Sequence, residues 1–293
     1  MPRRLLNPQE IEVLLALEVP TTFTTAAAEL GITQSAVSRS VLQIEELFGV
    51  ELLNRGRNGC EPTVALKRIL PRLRRAQQTL ESISNDLQAA DGLLRGRVKI
   101  AGFRSATSIL LTPVISEFMS RHRQVRVSLS TFREVRGGVQ QQVLDGKADF
   151  GITSIRPPRR LRSVHLGADR YVVVRRREGS GRFVPAKERL VLWKERCSDR
   201  VPEILRAQNW KPLQTMSVDS DAAVLGMVEH GGGFAIMPEL ATEPLPPALE
   251  RIALPTEFKR DIWLCARSFT WSSSLGRLLA RSIVQGTKRI LEK

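Results

Sequence analysis

The clearest pattern of apolar and polar positions lies in the run FTTAAAELGITQSAVSR at 23–39. It predicts a short alanine-rich helix, a turn at Gly31 and a second helix opened by Thr33. A helix-turn-helix needs a small residue where its helices touch, a backbone free to adopt positive φ in the turn, and an apolar anchor. Ala27, Gly31 and Val37 supply these three features. The run therefore predicts a helix-turn-helix, with a polar helical hairpin as the alternative.

The second helix of this motif leaves four polar side chains on its outer face, Gln34, Ser35, Ser38 and Arg39. Glutamine can make paired hydrogen bonds to adenine and arginine to guanine, while serine hydroxyls suit phosphates or short base contacts. We therefore predict that this helix enters the major groove of double-stranded DNA and that these four residues contact it.

The flanking sequence completes a small domain. An amphipathic helix opens at Pro8, and its apolar positions are Ile11, Leu14, Leu15 and Leu17. Gly49 ends the second helix of the motif, and the Gly/Asn turn within 51–63 predicts a β-hairpin wing. Arg55 and Arg57 on this wing are predicted phosphate or minor-groove contacts, with a solvated loop charge as the alternative for each.

After the wing, an apolar residue recurs every seven positions. The recurring residues are Leu66, Leu73, Leu80 and Leu87, with Ile69, Ala76, Ile83 and Ala90 three places after each. This register lays a narrow apolar seam along a polar helix and predicts a dimer through that helix; packing against the same chain's core is the alternative. Pro71 lies inside the pattern and predicts a kink or a break. Asp91-Gly92 and Arg95-Gly96 then mark a hinge.

From Arg97 onward, short strand-like runs alternate with helical ones. The first series predicts strands at 98–102, 125–131 and 148–155 and helices at 109–122 and 137–145. The run RPPRR at 156–160 interrupts the alternation. The second series predicts strands at 171–175, 190–193, 213–218, 234–237, 251–254 and 261–266 and helices at 201–208, 221–230 and 273–291. Strands separated by helical crossovers indicate a parallel sheet covered on both faces.

The composition fits a globular protein of two or three domains, with 293 residues of which 42% are hydrophobic. No run of roughly 18 apolar residues is free of charge, and the basic N-terminus lacks an apolar segment of signal-peptide length. Cys60, Cys197 and Cys265 are few and widely spaced. We therefore expect no membrane partner, no disulfide framework and a cytoplasmic location.

The formal net charge of +15 lies outside the helix-turn-helix. Residues 1–90 carry 10 Lys/Arg and 10 Asp/Glu, whereas residues 91–293 carry 35 and 20. Three interpretations remain open: a field that draws the molecule towards DNA, a site for an anionic ligand, or an arginine-rich solvated surface. The charge by itself supports DNA binding only weakly.

Three rival functions fit the pattern less well. An enzyme is disfavoured because the histidines are isolated, no Cys/His group has metal-ligand spacing and no nucleophile has an evident base partner. We expect no catalytic residue, no metal and no cofactor. A solute-binding protein would need a signal peptide and no helix-turn-helix. A thiol redox sensor would need two cysteines able to meet, and buried packing is the expected role of Cys197 and Cys265.

With these residues in place, the chain resembles a LysR-type transcriptional regulator over nearly its whole length. The most specific match is AAAELGITQSAVSR at 26–39 with IEELFGVELL at 44–53, where the family pattern reads roughly AAxxLxxSQPAVSxxIxxLExxLGxxLF. Further matches are RVKIA at 97–101, LDGKADFGI at 144–152 and VEHGGGFAIMP at 228–238.

The chain departs from the family pattern at four places. Ser35 stands where proline is usual, Leu53 where phenylalanine is common, and TVAL at 63–66 replaces Thr-x-Ala-Gly. We expect these three differences to leave DNA binding intact. The run RRREG at 175–179 replaces a proline/histidine turn and puts the local loop structure in question.

The resemblance implies an α/β protein with an N-terminal winged helix-turn-helix at 1–64 and a dimerising coiled-coil linker helix at 65–92. A two-lobed effector domain like a periplasmic binding protein would follow, with lobe I at 93–163 and 266–293 and lobe II at 164–265. The resemblance also implies a homotetramer that binds promoter DNA. A small-molecule effector would sit between the lobes, where strand ends and helix N-termini present free N–H groups.

By position, the loop at 104–108 resembles the family's ligand-contacting loop. The predicted effector contacts are Arg104, Ser105, Thr107, Arg133, Thr153, Ser154, Ser217 and Asp219. Each could instead be a helix cap. Arg104 and Arg133 motivate the hypothesis of an anionic effector.

Overall fold

The computed structural model describes residues 4–56, 59–88, 94–134, 138–177 and 183–292. The chain divides into two units, Met1–Gly96 with Leu144–Lys147, and Arg97–Val143 with Ala148–Lys293. They are called here the N-terminal unit and the C-terminal unit. None of the described helices combines the length and the apolar character needed to cross a membrane.

The N-terminal unit is built from helices and one hairpin. Its elements are α1 (Pro8–Ala16), α2 (Phe23–Leu30), α3 (Gln34–Phe48), β1 (Leu53–Gly56), β2 (Gly59–Pro62) and α4 (Val64–Gln88). A capping box starts α1: the Glu10 amide donates to Asn7 Oδ1 over 2.9 Å, and the Asn7 amide donates to Glu10 Oε2 over 2.8 Å. Pro8 follows in the first turn, where its missing N–H costs no helix bond.

The predicted helix-turn-helix is confirmed. Gly31 ends α2 with a φ of 66° and Gly49 ends α3 with a φ of 62°, a backbone region that favours glycine. Thr33 caps α3, since its hydroxyl accepts from the Ala36 amide over 3.2 Å. Val37 is buried in a core shared with α1, α2, the wing and α4. Helix α3 is therefore anchored on one face and exposed on the other.

The predicted wing is an antiparallel hairpin in which Leu53 pairs with Pro62 and Arg55 pairs with Cys60. Backbone hydrogen bonds tie it to the residue before the cap of α2: the Cys60 amide donates to the Thr21 carbonyl over 2.8 Å, and the Thr21 amide donates back over 3.1 Å. The wing is thereby held against the start of the helix-turn-helix.

Helix α4 runs through Pro71 without a break. Of the two outcomes predicted at this proline, a kink or a break, the break is therefore wrong. A proline removes one helix hydrogen bond, and packing can offset that loss. The seam residues Leu66 and Leu73 are buried in the core of the N-terminal unit, Ile69 of the seam packs against that core, and Leu70 is buried beside them. The first half of the heptad seam therefore packs within its own chain, which was the alternative to a dimer.

The second half of the seam is uncovered. Leu80, Ile83 and Leu87 are 42%, 52% and 74% exposed and follow one another at heptad spacing along α4. We call these three residues the apolar stripe. Ala90 and the Asp91-Gly92 pair lie outside the described residues.

The C-terminal unit alternates strands and helices in the predicted order. Its elements are β3 (Gly96–Gly102), a π-helical turn (Ala106–Leu111), α5 (Thr112–Arg121), β4 (Val125–Thr131), α6 (Gly138–Leu144), β5 (Phe150–Thr153), β6 (Arg162–Arg176), β7 (Arg189–Trp193), α7 (Val201–Ala207), β8 (Gln214–Val218), α8 (Asp221–Glu229), β9 (Ala235–Pro238), β10 (Leu249–Ala253), β11 (Lys259–Ala266), α9 (Ser268–Ser272) and α10 (Ser274–Leu291). The largest difference is β6, which is much longer than the strand predicted at 171–175. Polar His165 and Asp169 hide its first half from the apolar pattern. Residues 178 and 179 of the RRREG departure lie outside the described residues.

The main sheet is mixed, and the expectation of a parallel sheet is wrong. Its strands lie in the order β10-β6-β11-β5-β3-β4, β9 also pairs with β6, and β7 and β8 form a separate parallel pair. Strands β3 and β5 are parallel, whereas β11 is antiparallel to both β5 and β6. A strand buried on both faces reads as an apolar run whatever its direction, so the pattern of β11 does not reveal its orientation.

Candidate nucleic-acid interface and effector cavity

The first two turns of α3 carry the four side chains predicted to contact DNA. Gln34, Ser35 and Arg39 are exposed, and Ser38 is half-buried. The Ser35 hydroxyl lies 3.0 Å from the hydroxyl of Thr33, the capping residue. This arrangement matches a recognition helix, whose N-terminal residues contact base edges in the major groove.

The wing arginine Arg55 has partners within the N-terminal unit. Its Nη2 donates to Glu45 Oε2 over 3.1 Å, and its guanidinium lies 5.7 Å from the centre of the Phe23 ring. Glu45 also accepts from the Leu52 amide over 2.8 Å and so ties α3 to the wing. Arg55 nevertheless remains half-exposed. Arg57 lies outside the described residues.

A cavity of about 290 Å³ lies within the C-terminal unit. Its walls are Phe103, Arg104, Thr131, Phe132, Arg133, Glu134, Trp193, Glu195, Cys197, Asp219, Ser220, Asp221 and Arg260. Most of these residues follow the carboxyl ends of β3, β4, β7 and β8, and Arg260 comes from β11. Open α/β sheets bind ligands at such strand ends, and this volume suits a small molecule.

The structure separates the eight predicted effector residues into three groups. Arg104, Arg133 and Asp219 line the cavity. Ser217 is exposed on β8 and lies outside the lining. The remaining four, described next, contribute hydrogen bonds behind the cavity wall.

Ser105 and Thr107 stabilise the loop after β3. Ser105 is buried, and its hydroxyl accepts from Arg260 Nη2 over 3.1 Å. The Thr107 hydroxyl donates to the Phe103 carbonyl over 3.1 Å. Both residues therefore position neighbours that line the cavity.

Thr153 and Ser154 hold a carboxylate that sequence reasoning missed. The Thr153 hydroxyl and the Ser154 amide each donate to Glu134 Oε1 over 2.7 Å, and the Ser154 hydroxyl also donates to Glu134. Glu134 lines the cavity, although only 4% of the residue is exposed. The sequence does not indicate a role for this glutamate, because its partners Thr153 and Ser154 lie at the end of another strand, β5, about 20 residues further along the chain.

The cavity arginines are all paired with carboxylates. Arg104 forms an ion pair with Asp221, and Arg133 Nε donates to Glu195 Oε2 over 3.0 Å. Arg260 Nη2 donates to Asp169 Oδ2 over 2.8 Å. Arg104 and Arg133 therefore no longer support the hypothesis of an anionic effector, because each already has a carboxylate of the protein as its counter-charge.

Arg260 and Asp169 form the buried centre of this region. They face each other across the β11–β6 pairing, and both residues are buried. Asp169 Oδ1 also accepts from the Leu240 amide over 3.1 Å, and the Arg260 guanidinium lies 4.7 Å from the centre of the Phe103 ring. Burial lowers the pKa of Arg260, but the charge and hydrogen bond of Asp169 together with Cys197 and Tyr171 raise it by more, so Arg260 stays charged.

The two cysteines of the C-terminal unit are buried free thiols. Burial raises the pKa of Cys197 and of Cys265 to about 12 in each case. The thiolate is the form that reacts with peroxide, so at neutral pH both side chains are poor targets for oxidation. Packing is therefore the better interpretation of these cysteines than redox sensing.

We expect DNA binding to be insensitive to peroxide. Treatment of the purified protein with hydrogen peroxide at neutral pH should change its DNA affinity by less than about twofold, because nearly all thiols stay protonated. Fluorescence anisotropy before and after treatment measures this, with a Cys197→Ala/Cys265→Ala variant as the control. A loss of affinity in the native protein that the variant escapes would restore the redox-sensor interpretation.

Comparison with known families agrees with this geometry. The model of the "bacterial regulatory helix-turn-helix protein, lysR family" matches residues 8–65, and the "LysR substrate binding domain" model matches residues 91–287. The chain belongs to the family of LysR-type transcriptional regulators. The LysR-type assignment covers both the DNA-binding motif and the domain that holds the cavity.

Individual relatives extend the match over most of the chain. A probable HTH-type transcriptional regulator, LrrA of Synechococcus elongatus, is 30% identical over 88% of this chain and 89% of its own length. YvbU of Bacillus subtilis, an uncharacterized HTH-type regulator, is 25% identical over 92% of this chain and 94% of its own. Each match therefore spans most of this chain and most of the relative.

Solved structures show the same fold. The crystal structure of ArgP from Mycobacterium tuberculosis has a TM-score of 0.72 at 22% identity and covers 97% of this chain and 98% of that chain. Full-length OxyR from Pseudomonas aeruginosa has a TM-score of 0.73 at 15% identity, with the same coverage of 97% and 98%. The LysR-type architecture is thus shared at low sequence identity.

Proposed function

We propose that this LysR-type regulator recognises promoter DNA through six residues of α3 and the wing, Gln34, Ser35, Ser38, Arg39, Arg55 and Arg57. The observation that carries the proposal is the exposed polar face on the first two turns of α3, opposite the buried Val37. Residues 1–90 carry equal numbers of basic and acidic side chains. Non-specific attraction by this part is therefore weak, and base contacts must supply the discrimination.

The apolar stripe on α4 supports a dimer. Leu80, Ile83 and Leu87 face solvent in the single chain, and heptad positions of this kind are covered when two helices pair. A second copy of the chain would supply an identical stripe, and a dimer would present two recognition helices to two half-sites. The homotetramer and the domain limits 1–64, 65–92, 93–163 with 266–293, and 164–265 belong to the same proposal.

The cavity is the proposed site of the small-molecule effector. Arg104, Arg133 and Asp219 would contact the effector directly, because they line the cavity. The hydroxyls of Ser105, Thr107, Thr153 and Ser154 would position these walls. We infer that the protein acts in the cytoplasm by binding alone, with no catalytic step, as expected of a transcriptional regulator.

The test of DNA recognition is Arg39→Ala. We expect this substitution to cost about 1–3 kcal/mol of affinity for the regulator's own site and to leave affinity for random duplex nearly unchanged, because a bidentate base contact carries sequence information. Fluorescence anisotropy at one salt concentration, with DNA from upstream of the gene and with random duplex, measures both. The native protein should prefer its site by roughly a thousandfold or more.

Arg121→Ala is the matched control. Arg121 lies at the end of α5 and is exposed, and within the described part of the chain its ion pair is the exposed i,i+4 contact with Glu117 of the same helix. Its loss should change neither affinity. Equal losses on both DNAs for Arg39→Ala would reduce Arg39 to a phosphate contact, and equal binding of the native protein to both DNAs would contradict site-specific recognition.

A further inference from the structure

Glu134 presents a buried carboxylate to the cavity. Its oxygens accept hydrogen bonds from the Thr153 hydroxyl, the Ser154 amide and the Ser154 hydroxyl. All three donors are neutral, so none of them supplies a positive charge to Glu134. A carboxylate offers roughly four acceptor positions, so one position remains for a ligand.

No cation of the described residues is ion-paired with Glu134. The three cavity arginines are committed to Asp221, Glu195 and Asp169, as their ion pairs show. A buried carboxylate without a counter-charge is costly, and a positively charged ligand group would remove that cost. The cavity lining as a whole contains three arginines and four carboxylates, which also favours a cation over an anion.

The helix end beside the cavity is already capped by the protein. In α8, the Ala223 amide donates to the Ser220 hydroxyl over 3.1 Å, and the Ala222 amide donates to Asp221 Oδ1 over 2.8 Å. These N–H groups are the ones that would otherwise attract an anion. Since Asp221 also brings a negative charge to this point, the end of α8 disfavours a carboxylate or phosphate.

The aromatic walls suit the same ligand class. Phe132 and Trp193 line the cavity together with Glu134, whereas the Phe103 ring already has the Arg260 guanidinium 4.7 Å from its centre. Aromatic faces attract an ammonium group and also pack against an aliphatic chain. An anion gains nothing from such faces.

We propose that the effector carries a protonated amine and that its ammonium group donates to Glu134. This inference rests on the proposed role of the cavity as the effector site and adds the chemical class of the effector. Glu134 thereby determines effector specificity, and Thr153 and Ser154 position its carboxylate.

A thermal-shift panel with the full-length protein tests the proposal. The probes are matched sets on one carbon skeleton: free amino acids and simple primary amines, their N-acetyl derivatives, and the corresponding 2-hydroxy acids. We expect stabilisation from free amines alone, because acetylation removes the charge and the hydroxy acid lacks the ammonium. Stabilisation by the hydroxy or N-acetyl acids, or no stabilisation by any free amine, would overturn the proposal.

Variants assign the effect to Glu134. Glu134→Gln should weaken binding of the stabilising amine by about 30-fold or more, as expected when one partner of a buried charge pair is removed. Glu117→Gln, which removes the same charge from the exposed face of α5, should leave binding unchanged. Undiminished amine binding by a folded Glu134→Gln protein contradicts the assignment, and if that variant unfolds, the probe series on the native protein decides.

A cavity-filling substitution separates this proposal from the proposed function. Thr131→Trp places a large ring in the cavity that Thr131 lines. Loss of binding of every probe in this variant places the effector in the cavity, whatever its charge. If ligands without an amine bind the native protein but not Thr131→Trp, only the amine inference is overturned. If Thr131→Trp still binds the ligands of the native protein, the cavity is not the effector site.

Discussion

Replacement of Arg260 by leucine is expected to lower the free energy of unfolding of the C-terminal unit by about 3–5 kcal/mol. The substitution would leave the Asp169 carboxylate buried and without its counter-charge, while leucine would fill much of the same volume. It would also remove the hydrogen bond from Arg260 Nη2 to the Ser105 hydroxyl, a contact that joins β11 to the loop after β3.

Urea unfolding of the full-length protein, followed by tryptophan fluorescence, measures this effect. Trp193, Trp210, Trp263 and Trp271 are the four tryptophans of the chain, and all belong to the C-terminal unit. The fluorescence therefore reports that unit without interference from the DNA-binding part. A midpoint shift at constant m-value gives the change in the free energy of unfolding.

Two further variants decide the cause of the loss. Arg170→Leu removes a neighbouring arginine that also makes two hydrogen bonds to a carboxylate, that of Glu239, but on the exposed surface. It should cost less than about 1 kcal/mol, since exposed ion pairs contribute little. Asp169→Asn in the Arg260→Leu background should recover part of the stability, because it removes the stranded charge. Equal losses for Arg260→Leu and Arg170→Leu, or no recovery, would show that burial of the pair is not what matters.

Breaking the apolar stripe is expected to have the largest effect on DNA affinity. In a Leu80→Glu/Ile83→Glu variant, four like charges would meet in the helix pair, and the dimer should dissociate. Two linked recognition helices bind more tightly than one by a factor of roughly 100 or more, so affinity for the regulator's own site should fall by about that factor. Both residues are exposed in the single chain, so its fold should persist.

Sedimentation equilibrium and fluorescence anisotropy on the same samples check the two parts of this prediction. Leu213→Glu is the control, because Leu213 is also an exposed leucine but belongs to the C-terminal unit, just before β8. It should change neither the oligomeric state nor the affinity. A stripe variant that remains dimeric, or that becomes monomeric with full DNA affinity, would contradict the proposed dimer or its role in recognition.

Local signals explain why the DNA-binding part could be predicted so fully. Gly31 and Gly49 end their helices, Thr33 caps the next one, and the apolar spacing of α3 marks its buried face. Each of these effects acts within about four residues, so the chain order alone displays it. The LysR-type pattern lies in the same segment, and the family match confirms it.

The cavity could be predicted only in outline, because its charges depend on partners far apart in the chain. Arg104 and Arg133 look like anion-binding residues until the fold brings Asp221 and Glu195 to them. Glu134 is not recognisable from the sequence, because the fold alone places the end of β5 next to it. Strand direction is equally non-local, since β11 enters between β5 and β6 from the end of the chain.

The sequence by itself determined the family, the helix-turn-helix with its exposed Gln34 and Arg39, the wing and the order of strands and helices. These follow from backbone preferences and apolar periodicity, which operate over a few residues. The tertiary structure alone decided that the sheet is mixed, that the heptad seam is covered only in its first half, and which side chains meet around the cavity. Ion pairs such as Arg260–Asp169 require two side chains to be close in space, and the order of residues along the chain does not show which distant residues become neighbours.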